Sequence, residues 1–172
     1  MWDILKYLFV DGMRSVKIRY LSKRETRKFV QRVKEEWGVE VRPERMKVVT
    51  LKKGELFIGG PTFLMIEDVF VPFLNEKGLV ERLPKVIVDM GAVPHIVKGA
   101  NVMKPGIVEI KGDLMKGGLV SVVDEKHNKA IAVGLWEVEP EEFETMKKGV
   151  VVRTLHYVGD EFWEAAKELN IL

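Results

Sequence analysis

Residues 86–106 read VIVDMGAVPHIVKGANVMKPG, and this stretch decides the fold. The β-branched run Val86, Ile87, Val88 predicts a short buried strand. Asp89 follows where its carboxylate can accept the amide hydrogens that open a helix, and residues 91–97 supply about two turns. Gly99 ends that helix. Gly99 and Gly106 then bound a loop, and both are expected to use positive φ angles and a close backbone approach that a side chain would block. Lys98 and Lys104 supply charge beside them. A strand, a short helix and a lysine-bearing glycine loop, in this order, describe a surface that can grip a phosphate backbone.

Downstream, apolar runs predict strands near residues 106–111, 119–124 and 129–138. A short helix opens at Pro140, which suits a first helical turn, and runs through Glu141, Glu142, Phe143 and Met146 to Gly149. A last strand over residues 150–157 and a C-terminal helix, FWEAAKEL, follow. Short strands with two small helices inserted suit a closed or nearly closed barrel. The run VDMGAVPHIVKGANVMKPGI, the strand AVGLWEV and the tail KKGVVVRTLHYVGDEFW together resemble a PUA domain, the small β-barrel RNA-binding module of pseudouridine synthases and archaeosine transglycosylases. More narrowly, GANVMKPG with LHYVGDEFW is similar to the PUA domain of the malignant-T-cell-amplified sequence proteins and their archaeal relatives, a family linked to translation initiation and ribosome recycling. The resemblance covers about half of the 172 residues, and the preceding segment has the length and position of that family's N-terminal domain.

Upstream, Ser22 and Glu25 read as a capping box that opens the segment SKRETRKFVQRVKEEWG, and Gly38 ends it. At about 100° per residue, Thr26, Phe29, Val30, Val33 and Trp37 share one arc, while Lys23, Arg24, Arg27, Lys28, Arg32 and Lys34 occupy the other. From Met46 the pattern changes to short β-rich runs, MKVVTL, ELFIGG, TFLMI and VFVPFL, with a turn at Lys52, Lys53 and Gly54. The first segment, WDILKYLF, is expected to form a second helix over these strands. Pro72 and residues 75–84, with Gly78 and several charges, read as a linker. The fold class expected is α+β: a small α+β N-terminal domain over residues 1–78, then a PUA β-barrel with two short helices over residues 79–172.

Composition narrows the function. With 47% hydrophobic residues the chain can bury one good core or two small ones, and no apolar run reaches the length of a membrane span. Its first residues carry no small-residue cleavage site, so a cytoplasmic location is expected. The absence of cysteine excludes disulfides, cysteine nucleophiles and cysteine-based zinc sites. The net charge of +2 hides a segregation: residues 14–53 hold 14 Lys or Arg against 5 Glu, while residues 54–172 hold 13 basic and 19 acidic side chains. A basic first half is the footprint of a nucleic-acid partner or of a lysine-rich solvated helix face.

An enzyme would need a constellation that the sequence does not offer. His95, His127 and His156 lack metal-ligand spacing, and Ser15, Ser22 and Ser121 lack a nucleophile elbow. The glycine pairs at 59–60 and 117–118 are not followed by the Lys-Ser or Lys-Thr of a phosphate loop, and Glu139, Glu141, Glu142 and Glu144 belong to a helix start. No catalytic residue, metal or cofactor is expected. The resemblance instead implies RNA contacts from the first helix of the PUA domain, the loop after it and the last strand: Lys98, Gly99, Asn101, Lys104, Pro105, Gly106, Arg153 and His156. Phe143, Tyr157, Phe162, Trp163 and Trp136 are read as structural, which favours structured RNA over a stacked single strand. The resemblance implies non-catalytic binding of structured RNA, tRNA or small-subunit ribosomal RNA, in initiation or recycling, in a family that commonly has a second protein docked on the N-terminal domain; the basic helix is expected to make a second contact. The alternatives are an RNA-delivering subunit of a modification enzyme and a ribosome-assembly adaptor.

Overall fold

Ser22 and Glu25 do form the capping box. In the computed structural model, which describes residues 6–8 and 16–172, Ser22 Oγ accepts from the Glu25 amide at 3.2 Å and Glu25 Oε2 accepts from the Ser22 amide at 2.7 Å. Helix α1 (Lys23–Trp37) starts there and ends at Gly38, whose φ of 64° lets its amide turn back to the Lys34 carbonyl. Phe29, Val33 and Trp37 are buried, as the apolar arc requires. They pack on an antiparallel meander in chain order: β1 (Lys6–Leu8), β2 (Val16–Tyr20), β3 (Lys47–Thr50), β4 (Gly54–Ile58), β5 (Phe63–Ile66) and β6 (Val69–Pro72). The Phe29 ring lies 5.4 Å from Phe57 and 5.6 Å from Phe70, and Phe63 stacks on Phe70 at 4.3 Å, so one aromatic cluster joins helix to sheet.

Two features, one in this half and one just after it, differ from expectation. Lys6, Tyr7 and Leu8 are a strand rather than part of a helix, paired with Ile18, Lys17 and Val16, and the rest of WDILKYLF lies outside the described residues. The physical reason is β2, which the sequence reading passed over: an isolated helix this short is marginal, whereas an open strand edge satisfies each backbone group at once. The segment read as a linker holds a helical turn, α2 (Lys77–Val80), with Leu79 and Val80 buried.

Packing divides the chain into two units, one ending at Phe73 and including Lys167–Leu172, the other Leu74–Ala166. The second unit is built on β7 (Lys85–Val88), β8 (Val102–Met103), β9 (Ile107–Lys111), β10 (Leu119–Asp124), β11 (Ala130–Trp136) and β12 (Val150–Tyr157), in the spatial order β8-β12-β11-β10-β7-β9. β7 and β10 are parallel and the other pairs antiparallel. Sequence forces this sheet to curl. Its outermost strands, β8 and β9, are joined only by a 3-10 turn at Lys104–Gly106. Such a link spans at most about 14 Å, whereas the edges of a flat six-stranded sheet lie about 24 Å apart. The turn is tied on both sides, Lys104 N to the Gly149 carbonyl at 2.8 Å and Asp89 N to the Gly106 carbonyl at 2.9 Å. Val86, Val88, Val120, Val122, Trp136 and Val152 fill the interior.

Besides α2, this unit holds α3 (Val93–Ile96), α4 (Pro140–Thr145) and α5 (Glu161–Glu168) as far as Ala166. Buried Asp160 joins the last strand to α5. Its carboxylate accepts from the Trp163 amide at 2.8 Å and the Tyr157 amide at 3.1 Å, and meets His156 Nδ1 at 2.7 Å.

Candidate nucleic-acid interface

Asp89 accepts from the Ala92 amide at 2.8 Å, the helix-opening bond expected of it, but α3 is a single α-helical turn rather than two. Its end tightens, with the Lys98 amide bonding to His95 and the Gly99 amide to Ile96. Gly99 has φ +93°, and a Cβ there would stand 2.9 Å from Tyr157 Oη. Gly106 differs from expectation, for its φ is not positive. A Cβ at Gly106 would lie 3.1 Å from Ala92 Cβ, so glycine serves there to let the 3-10 turn approach α3.

Between α3 and that turn lies an open groove of about 600 Å³. His95, Ile96, Asn101, Met103, Pro105 and Val150 are among its walls. Met103 is 47% exposed and Val150 39%, unusual for large apolar side chains. Three of the residues expected from sequence, Asn101, Pro105 and Gly106, line this groove, and Lys98 and Gly99 are exposed on the segment that leads into it. His95, Met103 and Val150 were not anticipated as site residues. The signal for Met103 was its position inside the quoted loop.

The side chains of the remaining candidates, Lys104, Arg153 and His156, are held by partners outside the groove. Lys104 is half-buried: its Nζ donates to the Phe143 carbonyl at 2.9 Å and lies 3.2 Å from the centre of the Phe143 ring. Asn101 accepts the Thr154 amide at 3.0 Å through Oδ1, and the Thr154 hydroxyl donates to the Ala100 carbonyl, so the loop is fastened to β12. Arg153 Nε meets Glu137 at 3.1 Å. His156 is wholly buried with Asp160 and presents no surface to a ligand. Trp136 and Phe162 are buried as expected, whereas Trp163 is half-buried and borders a cavity.

On α1, Arg32 pairs with Glu36 and lies 4.8 Å over the Phe70 ring, and Lys34 meets Glu40 at 3.1 Å. Lys23, Arg24, Arg27 and Lys28 are exposed, and none has an ion-pair partner among the described residues. Glu25 is held below the usual carboxylate range, first by the Ser22 amide and hydroxyl and then by Arg19 at 2.8 Å. Asp124, nearly enclosed at the β10–β11 turn, is pushed up by burial, but the amides of His127 and Lys129 outweigh this and hold it below its ordinary value. Among the described residues no cluster of three or more His, Cys, Asp or Glu is placed to hold a metal ion, and no helix is long and apolar enough to cross a membrane.

The PUA domain family matches residues 84–158, the span that contains the curled sheet and the groove. The whole fold is similar to the crystal structure of a PUA domain from Aeropyrum pernix, with a TM-score of 0.73 and 26% identity over 94% of this chain and 98% of that one. Fold and groove thus define a PUA-domain protein. An uncharacterized protein of Methanocaldococcus jannaschii is 34% identical over 159 residues, 84% of this chain and 93% of that protein. Malignant T-cell-amplified sequence 1 of Rattus norvegicus is 28% identical over 127 residues, and translation machinery-associated protein 20 of Saccharomyces cerevisiae 33% over 117. The alignments span 65% of each of these last two proteins. The chain belongs to the malignant-T-cell-amplified sequence family of PUA-domain proteins. RNA binding in translation is the functional class that this membership supports.

Proposed function

We propose that the chain binds structured RNA, tRNA or small-subunit ribosomal RNA, without catalysis, as a cytoplasmic factor in translation initiation or ribosome recycling. The observation that carries this reading is the open groove between α3 and the Lys104–Gly106 turn, inside the PUA match and next to exposed Lys98. Its apolar walls can cover a ribose or base edge while Lys98 takes a phosphate. The name of the Saccharomyces cerevisiae relative, translation machinery-associated protein 20, supports translation as the setting. Residues 1–78 and 79–172 act as two binding units, the first through Lys23, Arg24, Arg27 and Lys28 of α1, and two weak contacts on one chain gain by effective concentration.

The test is Lys98→Glu in the full chain. Affinity for a structured RNA should fall by about tenfold or more, with the log–log salt slope reduced by roughly one, at an unchanged melting temperature. Unchanged affinity would remove the groove as the site and leave α1 as the leading surface.

A further inference from the structure

A second cavity, of about 420 Å³, opens on the face of the PUA sheet turned away from its core, and the groove does not account for it. The strand registers explain its chemistry. Val86, Val88, Val120 and Val122 fill the core, so the alternate residues Lys85, Ser121 and Val123 face outward, and the parallel β7–β10 pair sets Lys85 beside Ser121. α2 brings Lys77, the turn before β11 brings Asn128 and Lys129, and α5 brings half-buried Trp163.

Three lysines, Lys77, Lys85 and Lys129, thus line one cavity with a single acidic residue, Glu81. None of the three lysines is ion-paired among the described residues, so their charge is available to an anion. The rest of the wall offers a planar surface, the Trp163 indole, and the side-chain amides of Asn75 and Asn128. A cationic end, an aromatic wall and amide groups able both to donate and to accept make the complement of a nucleotide: phosphate on the lysines, base against the indole, base edge on the amides. The volume lies within the usual span of small-molecule sites.

We infer that this cavity binds one nucleoside 5′-monophosphate unit, free or at the 5′ end of an RNA chain, separately from the groove beside α3. The experiment follows the indole N–H resonance of Trp163 in the full-length protein, assigned with Trp163→Phe, during titration with AMP, GMP, CMP and UMP. At least one nucleotide should shift it saturably, with an affinity about tenfold or more above that of its nucleoside and of inorganic phosphate. Replacing exposed Lys77 and Lys129 by Gln should weaken that binding by about tenfold or more, while the charge-matched control Lys147→Gln with Lys148→Gln leaves it intact. An RNA tetramer that binds more tightly than the mononucleotide only when 5′-phosphorylated identifies the ligand as an RNA end. A mononucleotide that binds more tightly than the tetramer identifies it as a free nucleotide. An unshifted resonance with all four nucleotides, an equal response to phosphate alone, or binding that survives the Lys77 and Lys129 replacements overturns the inference.

Discussion

Lys98 and Lys104 flank the same loop, yet their ammonium groups meet different surroundings. Lys98 is exposed, while Lys104 spans from the 3-10 turn to α4, where the Phe143 carbonyl and ring hold it. A cation so placed is structural before it is a ligand contact. Lys104→Met should therefore lower stability by about 1–2 kcal/mol in denaturant unfolding, whereas Lys98→Glu should leave the midpoint unchanged. A Lys104 variant as stable as the parent would contradict this assignment. Asn101→Ala removes the acceptor of the Thr154 amide and should cost about 1 kcal/mol, with faster hydrogen exchange at Thr154 as the local readout. The loop was legible in sequence as a lysine-bearing turn between glycines, but the tie from Lys104 to a carbonyl 39 residues away was not, because no local pattern encodes that distance. His156 illustrates a nearer miss. Asp160 lies four residues on, at the start of α5, and its remaining oxygen buries the histidine that a strand-surface reading would have exposed.

At the scale of elements, α1 was the most legible part of the first half, since its cap, its apolar arc and its terminating glycine all follow from short-range rules. Ser22→Ala should cost about 1 kcal/mol by leaving the Glu25 amide without its acceptor. The cap also carries a pH dependence whose sign is fixed. Because the Glu25 carboxyl titrates below its ordinary value of 4.5 when folded, its contribution is fully present above that value and is lost as pH falls through the lowered folded value. The gap in melting temperature between the parent and Glu25→Ala should be present near pH 7 and shrink toward about pH 2, and a gap that widens on acidification would contradict the cap's role. β1 and β8 escaped the sequence reading for a common reason. They have three and two residues, too few to display a period of two, and each exists because a neighbouring strand offers an edge. By contrast β7, β10, β11 and β12 are longer and rich in β-branched residues, and their positions were readable directly.

For the whole molecule, the segregated charge of the sequence places the exposed cations Lys23, Arg24, Arg27 and Lys28 of α1 in the first unit, and the groove at the closure of the curled sheet in the second. Neutralising Lys23, Arg24, Arg27 and Lys28 together to Gln should weaken RNA binding uniformly across sequences and flatten its salt dependence by up to about three to four in log–log slope, without altering the residues that touch RNA in the groove. An unchanged slope would make the arc of α1 a solvated face. The central claim is that RNA lies in the groove between α3 and the Lys104–Gly106 turn. Ultraviolet crosslinking of the full-length protein to RNA, followed by mass spectrometry of the crosslinked peptides, tests it most directly. Crosslinks should fall within residues 92–106, at His95, Lys98, Asn101 or Met103, and should weaken by about tenfold or more in Lys98→Glu at an RNA concentration below the parent's Kd. Efficient crosslinking that spares all of residues 92–106 would contradict the account.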